Sequence, residues 1–369
     1  MKVPFVNLKA QYEAIQAEVD KAVQSVFSSG QFIKGTCVTE FEKSFAAKLG
    51  VVHCIGVGNG TDALFIALKS LNIQPGEEVL TPALSWISTA ETISSAGATP
   101  VFVDVEPDYF GIDLAHAQQL ITPKTKAIIA VHLYGQALAL DQLKNFCVVN
   151  NLLLIEDCAQ AHFSAHQSVL AGTVGDVAAF SFYPTKNLGA YGDAGCVVTQ
   201  NDEIAIKVRR FSNHGGLHKN EHLMEGINSR MDELQAAILS VKLKYIDVWN
   251  EQRIRHAEMY RKKLSSISSV KLPVLRTQAY HTYHQFVVRV QDRNELKSFL
   301  LERGIETEIH YPAALPFEPA YVSFKYATFD FPIASELVNE ILSLPIYPEL
   351  SEEQIEYVCS AIQSFYSTR

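Results

Sequence analysis

Residues 152–162 read LLLIEDCAQAH. Apolar residues in unbroken succession suit a strand covered on both faces, not the alternating pattern of a half-solvated one. An aspartate just past such a strand sits in poor solvent for a charge, so Asp157 needs a cationic partner or several donors to stay ionised. Similar short runs stand at 78–80, 101–103, 127–133, 177–182 and 196–199, separated by helical stretches suited to crossovers. Residues 40–70 read as helix, strand, glycine-rich turn, helix. The alternation predicts an α/β unit with a mostly parallel central sheet over about 45–200. In open sheets of this kind, ligands bind at the carboxyl ends of the strands.

The texture then changes. Residues 232–264 carry Ala, Leu, Lys and Glu at helical spacing and predict one long helix. Residues 281–291 (HTYHQFVVRVQ) read as a strand, 293–303 as a helix, 304–310 as another strand and 352–365 as the last helix. The expected division is a large domain over 1–250 and a smaller C-terminal α+β domain over 251–369, with the boundary near 245–265. A length of 369 residues fits two domains at roughly 150 each.

Composition excludes several classes. With 48% hydrophobic and 19% charged residues, the chain can fill a large core, so it is not disordered, collagen-like or coiled-coil. A net charge of -9 argues against sequence-independent nucleic-acid binding. No stretch has the roughly 18 consecutive apolar residues of a membrane helix, and the opening MKVPFVNLKAQYEAI has no signal core. The expectation is a cytoplasmic protein, without membrane or nucleic-acid partners, whose six scattered cysteines stay reduced.

Three segments carry chemistry, each ending a strand with polar groups. In 56–64 (GVGNGTDAL), glycines allow a tight turn, and the N–H groups of the helix start, with Thr61, can hold an anion. A plain capping turn explains this stretch equally well, and its glycine spacing is not the dinucleotide fingerprint. In 152–162, Asp157 either partners a ligand cation or caps the next helix. In 180–195 (FSFYPTKNLGAYGDAG), Lys186 follows an apolar strand and stands outside any charge run. A desolvated lysine has a lowered pKa and can form a Schiff base with an aldehyde, although most lysines are solvated surface charges. One ligand satisfies all three segments: a phosphate for Gly60, Thr61 and Ser181, an aldehyde for Lys186 and a basic ring nitrogen for Asp157. Pyridoxal 5'-phosphate has these groups. Trp86, after the strand end in VLTPALSW, is placed to lie against its ring.

The sequence resembles the DegT/StrS group of nucleotide-sugar aminotransferases, which have the aspartate aminotransferase-like fold (fold type I). The resemblance covers essentially the whole chain. It rests on PFVNLKAQY (4–12), NGTDAL (59–64), the stretch 81–105, HLYGQ (132–136), EDCAQAH (156–162), SFYPTKNLGAYGDAG (181–195), GINSRMDELQAAIL (226–239) and GIETEIHYP (304–312). It implies that Lys186 holds the cofactor covalently and that Asp157 pairs with the pyridine nitrogen. Gln160 would stand near the ring hydroxyl, Trp86 on the ring face, and Thr61 and Ser181 at the phosphate. Asn228 would reach the phosphate of a partner subunit, which implies a homodimer with shared active sites. The intact lysine sets the chain apart from the family's dehydratase branch, where a histidine replaces it.

Tyr183 and the loop 192–195 (GDAG) are more similar to members acting on 3-keto sugars than to those acting on 4-keto sugars. The resemblance therefore implies transfer from L-glutamate to C3 of a dTDP-linked 3-oxo-6-deoxyhexose, through the pyridoxamine form of the cofactor. The product would serve a surface glycan such as O-antigen or an S-layer. A UDP-linked 3-keto sugar acid is the nearest rival, and a non-catalytic sensor keeping the fold is the rival of another class. For a glutamate carboxylate, Arg230 is the first candidate cation and Lys219 the second, with a structural pairing near Asp232 as the other role for Arg230. His162, His310 and Tyr183 are candidate sugar contacts. His214, His218 and His222 have metal-ligand spacing, but Gly215 and Gly216 argue for a loop, so no metal is expected.

Overall fold

A computed structural model describes residues 1–367. The chain opens with helices α1 (Leu8–Ser29) and α2 (Thr36–Leu49). Asn7 caps α1 by accepting from the Ala10 N–H, and Gly30 closes it in the left-handed region at φ 66°. The central sheet has seven strands: β1 (His53–Val57), β2 (Glu78–Pro82), β3 (Thr99–Val103), β4 (Thr125–Val131), β5 (Leu153–Asp157), β6 (Val177–Ser181) and β7 (Gly195–Thr199). Their order is β1-β7-β6-β5-β4-β2-β3, with only β7 running against the others. The crossovers carry α3 (Gly60–Ser70), α4 (Ser88–Ser95), α5 (Leu114–Leu120) and α6 (Leu140–Asn150). The apolar runs are thus strands covered on both faces, as their lack of alternation requires. Helix α7 (Asp202–Phe211) follows the sheet.

Residues 232–264 do not form one helix. They form α8 (Glu233–Leu243) and α9 (Ile246–Leu264), broken at Lys244 and Tyr245. The break lets the two helices serve different cores. Ile238, Leu239 and Ile246 pack with the large sheet, whereas Ala257, Tyr260 and Leu264 pack beneath a second sheet. That sheet is antiparallel, with β8 (Val270–Lys271), β9 (Phe286–Val290) and β10 (Ile341–Leu344). Helices α10 (Arg293–Glu302), α11 (Pro332–Glu340) and α12 (Glu352–Ser367) complete this part. The chain start belongs here too: Val3 donates to the Gly304 carbonyl and packs in the same core.

Two expected strands are shorter or absent. Residues 281–285 are not in the sheet, because their backbone groups are used elsewhere. Thr282 donates to the Gly135 carbonyl, Gln285 donates to the Tyr134 carbonyl, and the carbonyls of Tyr283 and His284 accept from Arg253. Residues 304–310 make only single bridges, Val3 to Ile305 and Glu308 to Ser343. Among the described residues, no helix is long and apolar enough to cross a membrane.

Candidate active site

The carboxyl ends of β1, β2, β4, β5 and β6 converge on one cavity of about 450 Å³. Register explains how its first wall forms. Gly195 on β7 lies between Val57 on β1 and Ser181 on β6. A Cβ on Gly195 would stand 2.5 Å from the Asn59 carbonyl, and one on Gly60 would stand 2.6 Å from Ser181 Cβ. Two missing side chains therefore let the start of α3 close against Ser181. Asn59 caps that helix by accepting from the Asp62 N–H at 2.8 Å. Among the described residues, the N–H groups of Gly60 and Thr61 meet no acceptor. Ser88 Oγ lies 2.7 Å from the Thr61 hydroxyl. Free N–H groups at a helix start, with Thr61 and Ser181 beside them, form a cradle for a phosphate.

The turn that carries Lys186 has its own local cause. Its N–H donates to the Tyr183 carbonyl at 2.8 Å across Pro184-Thr185, with proline at the position whose φ it favours. Gly189 lets the loop fold back, since a Cβ there would lie 2.3 Å from the Pro184 carbonyl. Asn187 then anchors the chain by donating to Asn250 Oδ1 and the Thr282 carbonyl. Lys186 keeps some accessible surface, yet protein packs around it densely enough to push its pKa down to about 8, opposed by the Asp157 charge. Asp157, at the end of β5, is 6% exposed, and burial raises its carboxyl against the Ala159 N–H and the Lys186 charge. Its Oδ1 accepts from the Ala159 N–H, so it does cap a turn, while the residue also lines the cavity.

Gln160 is fixed at both ends of its amide. Its Oε1 accepts from the Tyr134 N–H at 2.7 Å and its Nε2 donates to the Tyr311 hydroxyl at 2.9 Å. Tyr134 holds the left-handed backbone needed to present that N–H, at φ 60°. Trp86 lines the cavity and tilts against Tyr311 with ring centroids 5.7 Å apart. Tyr183 and His310 line it too, and burial pushes the His310 imidazole down to about 4.

Four expected site residues do not line this chain's cavity. His162 is fully buried against Phe180 and Phe182 instead. Burial drives its pKa to about 3, with the Lys186 charge pushing the same way. Neither ring nitrogen makes a hydrogen bond of ordinary geometry, although the nearby Ser181 backbone favours a ring proton. Lys219 and Asn228 are exposed on the surface, and Arg230 donates to Asn213 Oδ1 at 3.1 Å rather than meeting Asp232. The segment carrying Asn228 and Arg230 is nonetheless tied to the cradle. Ser229 Oγ donates to Asp62 Oδ2 at 2.6 Å and accepts from the Gly58 N–H at 2.9 Å. His214, His218 and His222 lie in a loop, where His222 Nδ1 binds the His214 carbonyl.

The structure adds residues that sequence reading did not select: Gln285, Tyr311, Ser85, Thr185 and Asp193 line the cavity. His281 and His284 flank a tyrosine-rich stretch that the sequence leaves open to a place near substrate or on a sheet surface, and of the two His284 lines the cavity. Glu156 stands behind Asp157, fully buried and ringed by four donors: His132 Nε2 and the N–H groups of Gly172, Val174 and Gly175. Cys158 stands near this pair, but Glu156 is saturated by those donors and His132 Nδ1 accepts from the Leu138 N–H. A metal would have to displace these bonds.

A sheet of this topology, with a phosphate cradle, a lysine of lowered pKa and a buried aspartate at its strand ends, defines an aminotransferase of fold type I whose cofactor is pyridoxal 5'-phosphate. The chain belongs to the DegT/DnrJ/EryC1/StrS aminotransferase family, whose model matches residues 13–363. It is 43% identical to a pleiotropic regulatory protein of Geobacillus stearothermophilus, over 99% of each chain. It is 40% identical to the dTDP-3-amino-3,4,6-trideoxy-alpha-D-glucose transaminase of Streptomyces venezuelae, over 99% of this chain and 96% of that one. The X-ray structure of S. venezuelae DesV in complex with a ketimine intermediate superposes with a TM-score of 0.96 at 39% identity, covering 99% of this chain and 98% of that one.

Proposed function

We propose that this aminotransferase moves the amino group of L-glutamate to the C3 ketone of a dTDP-linked 3-oxo-6-deoxyhexose in the cytoplasm. The products are 2-oxoglutarate and a 3-amino sugar nucleotide. The observation that carries the reading is Lys186, a lysine with its pKa pushed down to about 8, facing a phosphate cradle across the cavity that Asp157 also lines. The S. venezuelae relative, named for a dTDP-linked 3-amino-trideoxyhexose, supports the choice of C3 and of the nucleotide.

Gly60, Thr61 and Ser181 would hold the cofactor phosphate, Asp157 its ring nitrogen, Gln160 its ring hydroxyl and Trp86 its face. The chemistry supplied when pyridoxal phosphate is bound is an aldehyde carbon and a protonated ring that draws electrons from the reacting centre. Asp157 keeps that ring protonated through its carboxylate. Lys186 Nζ takes the proton from the α-carbon of the amino donor. In the second half-reaction the same nitrogen returns a proton to the sugar carbon that bore the ketone. One base serves both halves because both carbons occupy the same place. Among the residues lining the cavity, Lys186 is the one cation. A carboxylate on the amino donor therefore needs a cation from outside this chain's own cavity.

A homodimer completes the reading. Phe27, Phe32, Ile33, Leu223 and Met224 are exposed apolar side chains. Ile33 bridges to Asp232, so this surface adjoins the Asn228–Arg230 segment. A second copy covering it would bury those side chains and bring Asn228, with Arg230 or Lys219, toward the neighbouring cavity. In that arrangement Asn228 meets the phosphate and the cation meets a substrate anion. A sensor has no use for the combination of Lys186 and Asp157.

The test is chemical. Glutamate alone should convert the yellow enzyme to its pyridoxamine form with stoichiometric 2-oxoglutarate. A panel of keto-sugar nucleotides, read by product mass and carbon NMR, should then place the new nitrogen on C3. Failure of the glutamate step removes L-glutamate as the amino donor. Nitrogen appearing on C4 removes the positional one.

A further inference from the structure

We propose that Gln285 is a specificity-determining contact, its Oε1 accepting a hydrogen bond from a ring hydroxyl of the hexose. This rests on the sugar reading above. The argument follows a hydrogen-bond chain with a single direction. Asn250 Nδ2 donates to the His162 carbonyl at 3.1 Å, which turns Asn250 Oδ1 toward Asn187 Nδ2 at 2.9 Å. The same Asn187 nitrogen also donates to the Thr282 carbonyl at 3.0 Å. Both amide protons of Asn187 are thereby used, and its Oδ1 can only accept. His284 Nδ1 lies 3.2 Å from that oxygen, so Nδ1 carries the ring proton and Nε2 carries a lone pair. Gln285 Nε2 stands 3.5 Å from that lone pair. This contact turns the amide nitrogen of Gln285 toward His284 and its oxygen away.

Both residues line the cavity with Lys186, and they are 5% and 7% exposed respectively. Their backbone is pinned as well, by Arg253 on the His284 carbonyl and by the Gln285 N–H on the Tyr134 carbonyl. Burial and the Lys186 charge keep the His284 ring neutral, so its lone pair persists at working pH. Among the described residues, no donor reaches Gln285 Oε1. The Gln285 amide oxygen keeps accessible surface, so solvent satisfies it until a ligand supplies the donor. A hydroxyl supplies a donor. A ketone, a carboxylate or a phosphate oxygen does not, and repels it. Sites built to bond a substrate hydroxyl discriminate strongly against the analogue lacking it, because the protein group is then left unpaired.

The test compares dTDP-3-oxo-6-deoxyhexose with its 2-deoxy and 4-deoxy counterparts, using the holoenzyme with glutamate as donor. The readout is the ratio of kcat/KM between each pair, taken within one enzyme preparation. The wild-type enzyme should favour one hydroxylated sugar over its deoxy counterpart by about tenfold or more. Gln285→Met, of similar shape without the oxygen, should bring that ratio to near one, mainly through KM. If the Met variant does not fold, Gln285→Ala gives the same comparison. A ratio unchanged in Gln285→Met, or no preference in the wild type, overturns the assignment alone. No turnover of any of the three sugars by the wild type overturns the substrate reading and this inference with it.

Discussion

Replacing Glu156 by Gln should destabilise the protein without touching a group that meets substrate. The carboxylate accepts through both oxygens. Oε1 takes the N–H groups of Val174 at 2.9 Å and Gly175 at 2.7 Å, while Oε2 takes Gly172 at 2.8 Å and His132 Nε2 at 2.9 Å. A glutamine keeps one oxygen, so its NH₂ faces one of these donor pairs whichever way it turns. His132 cannot relieve the conflict by moving its proton, because its Nδ1 already accepts from the Leu138 N–H at 3.2 Å. Turned toward the half-buried Val174 and Gly175, the amide NH₂ leaves two N–H groups without that acceptor, at about 1–3 kcal/mol each. The neutral amide no longer has a charge to desolvate, which pulls the total toward the lower end, about 3 kcal/mol. Urea unfolding of the apoprotein near neutral pH, followed by circular dichroism, reads this as a lower midpoint with an unchanged slope.

The pH dependence has a definite sign. Burial alone raises the Glu156 carboxyl, but the hydrogen bonds from His132 and from the N–H groups of Gly172 and Gly175 bring it below its ordinary 4.5. A carboxyl with a depressed pKa contributes stability that is fully present above the ordinary value and is lost as pH falls through the folded one. The gap between wild type and Glu156→Gln should therefore narrow below pH 4.5. A gap under about 1 kcal/mol at neutral pH would refute the reasoning, since it would mean these four bonds are not jointly required.

Lys186→Ala should lower turnover by at least about a thousandfold in both half-reactions, and borohydride should fix no cofactor to the protein. Residual turnover near wild type would remove Lys186 from the chemistry. Because the Lys186 amine is pushed down to about 8, the rate at which apoprotein combines with pyridoxal phosphate should rise with pH up to that value and level off above it. A rise continuing to the pKa of an ordinary lysine would show that burial does not tune this amine. His162→Phe should leave turnover intact and the urea midpoint equal or higher, because an aromatic ring without ordinary hydrogen bonds is replaced by an apolar one. A loss of turnover at an unchanged urea midpoint would show that the imidazole serves the site.

The central sheet was legible because its causes are local. Runs such as 127–131 and 152–155 are apolar at every position, a pattern that suits a strand covered on both faces. The expected single helix over 232–264 failed for a different reason. Its residues favour helix throughout, and the break at Lys244 and Tyr245 arises where the segment passes from one core to the other. Residues 281–285 have strand-like composition, but Gly135, Tyr134, Asn187 and Arg253 engage their backbone first. Propensity is a weak guide where distant partners bid for the same groups.

The chain's residue order alone determined that Asp157, Ser181, Lys186 and the Gly60 turn all stand at strand ends, because strand, turn and helix starts are set by neighbours a few positions apart. Which side chains then meet was decided by the tertiary structure. It removed His162 to the core between Phe180 and Phe182, left Asn228 and Lys219 on the surface, and brought His284, Gln285 and Tyr311 onto the cavity from positions about a hundred residues beyond Lys186. The reason is the range of the forces. Hydrogen bonds and close packing act over a few ångströms of space, and only the folded backbone turns a separation of that many residues into such a distance.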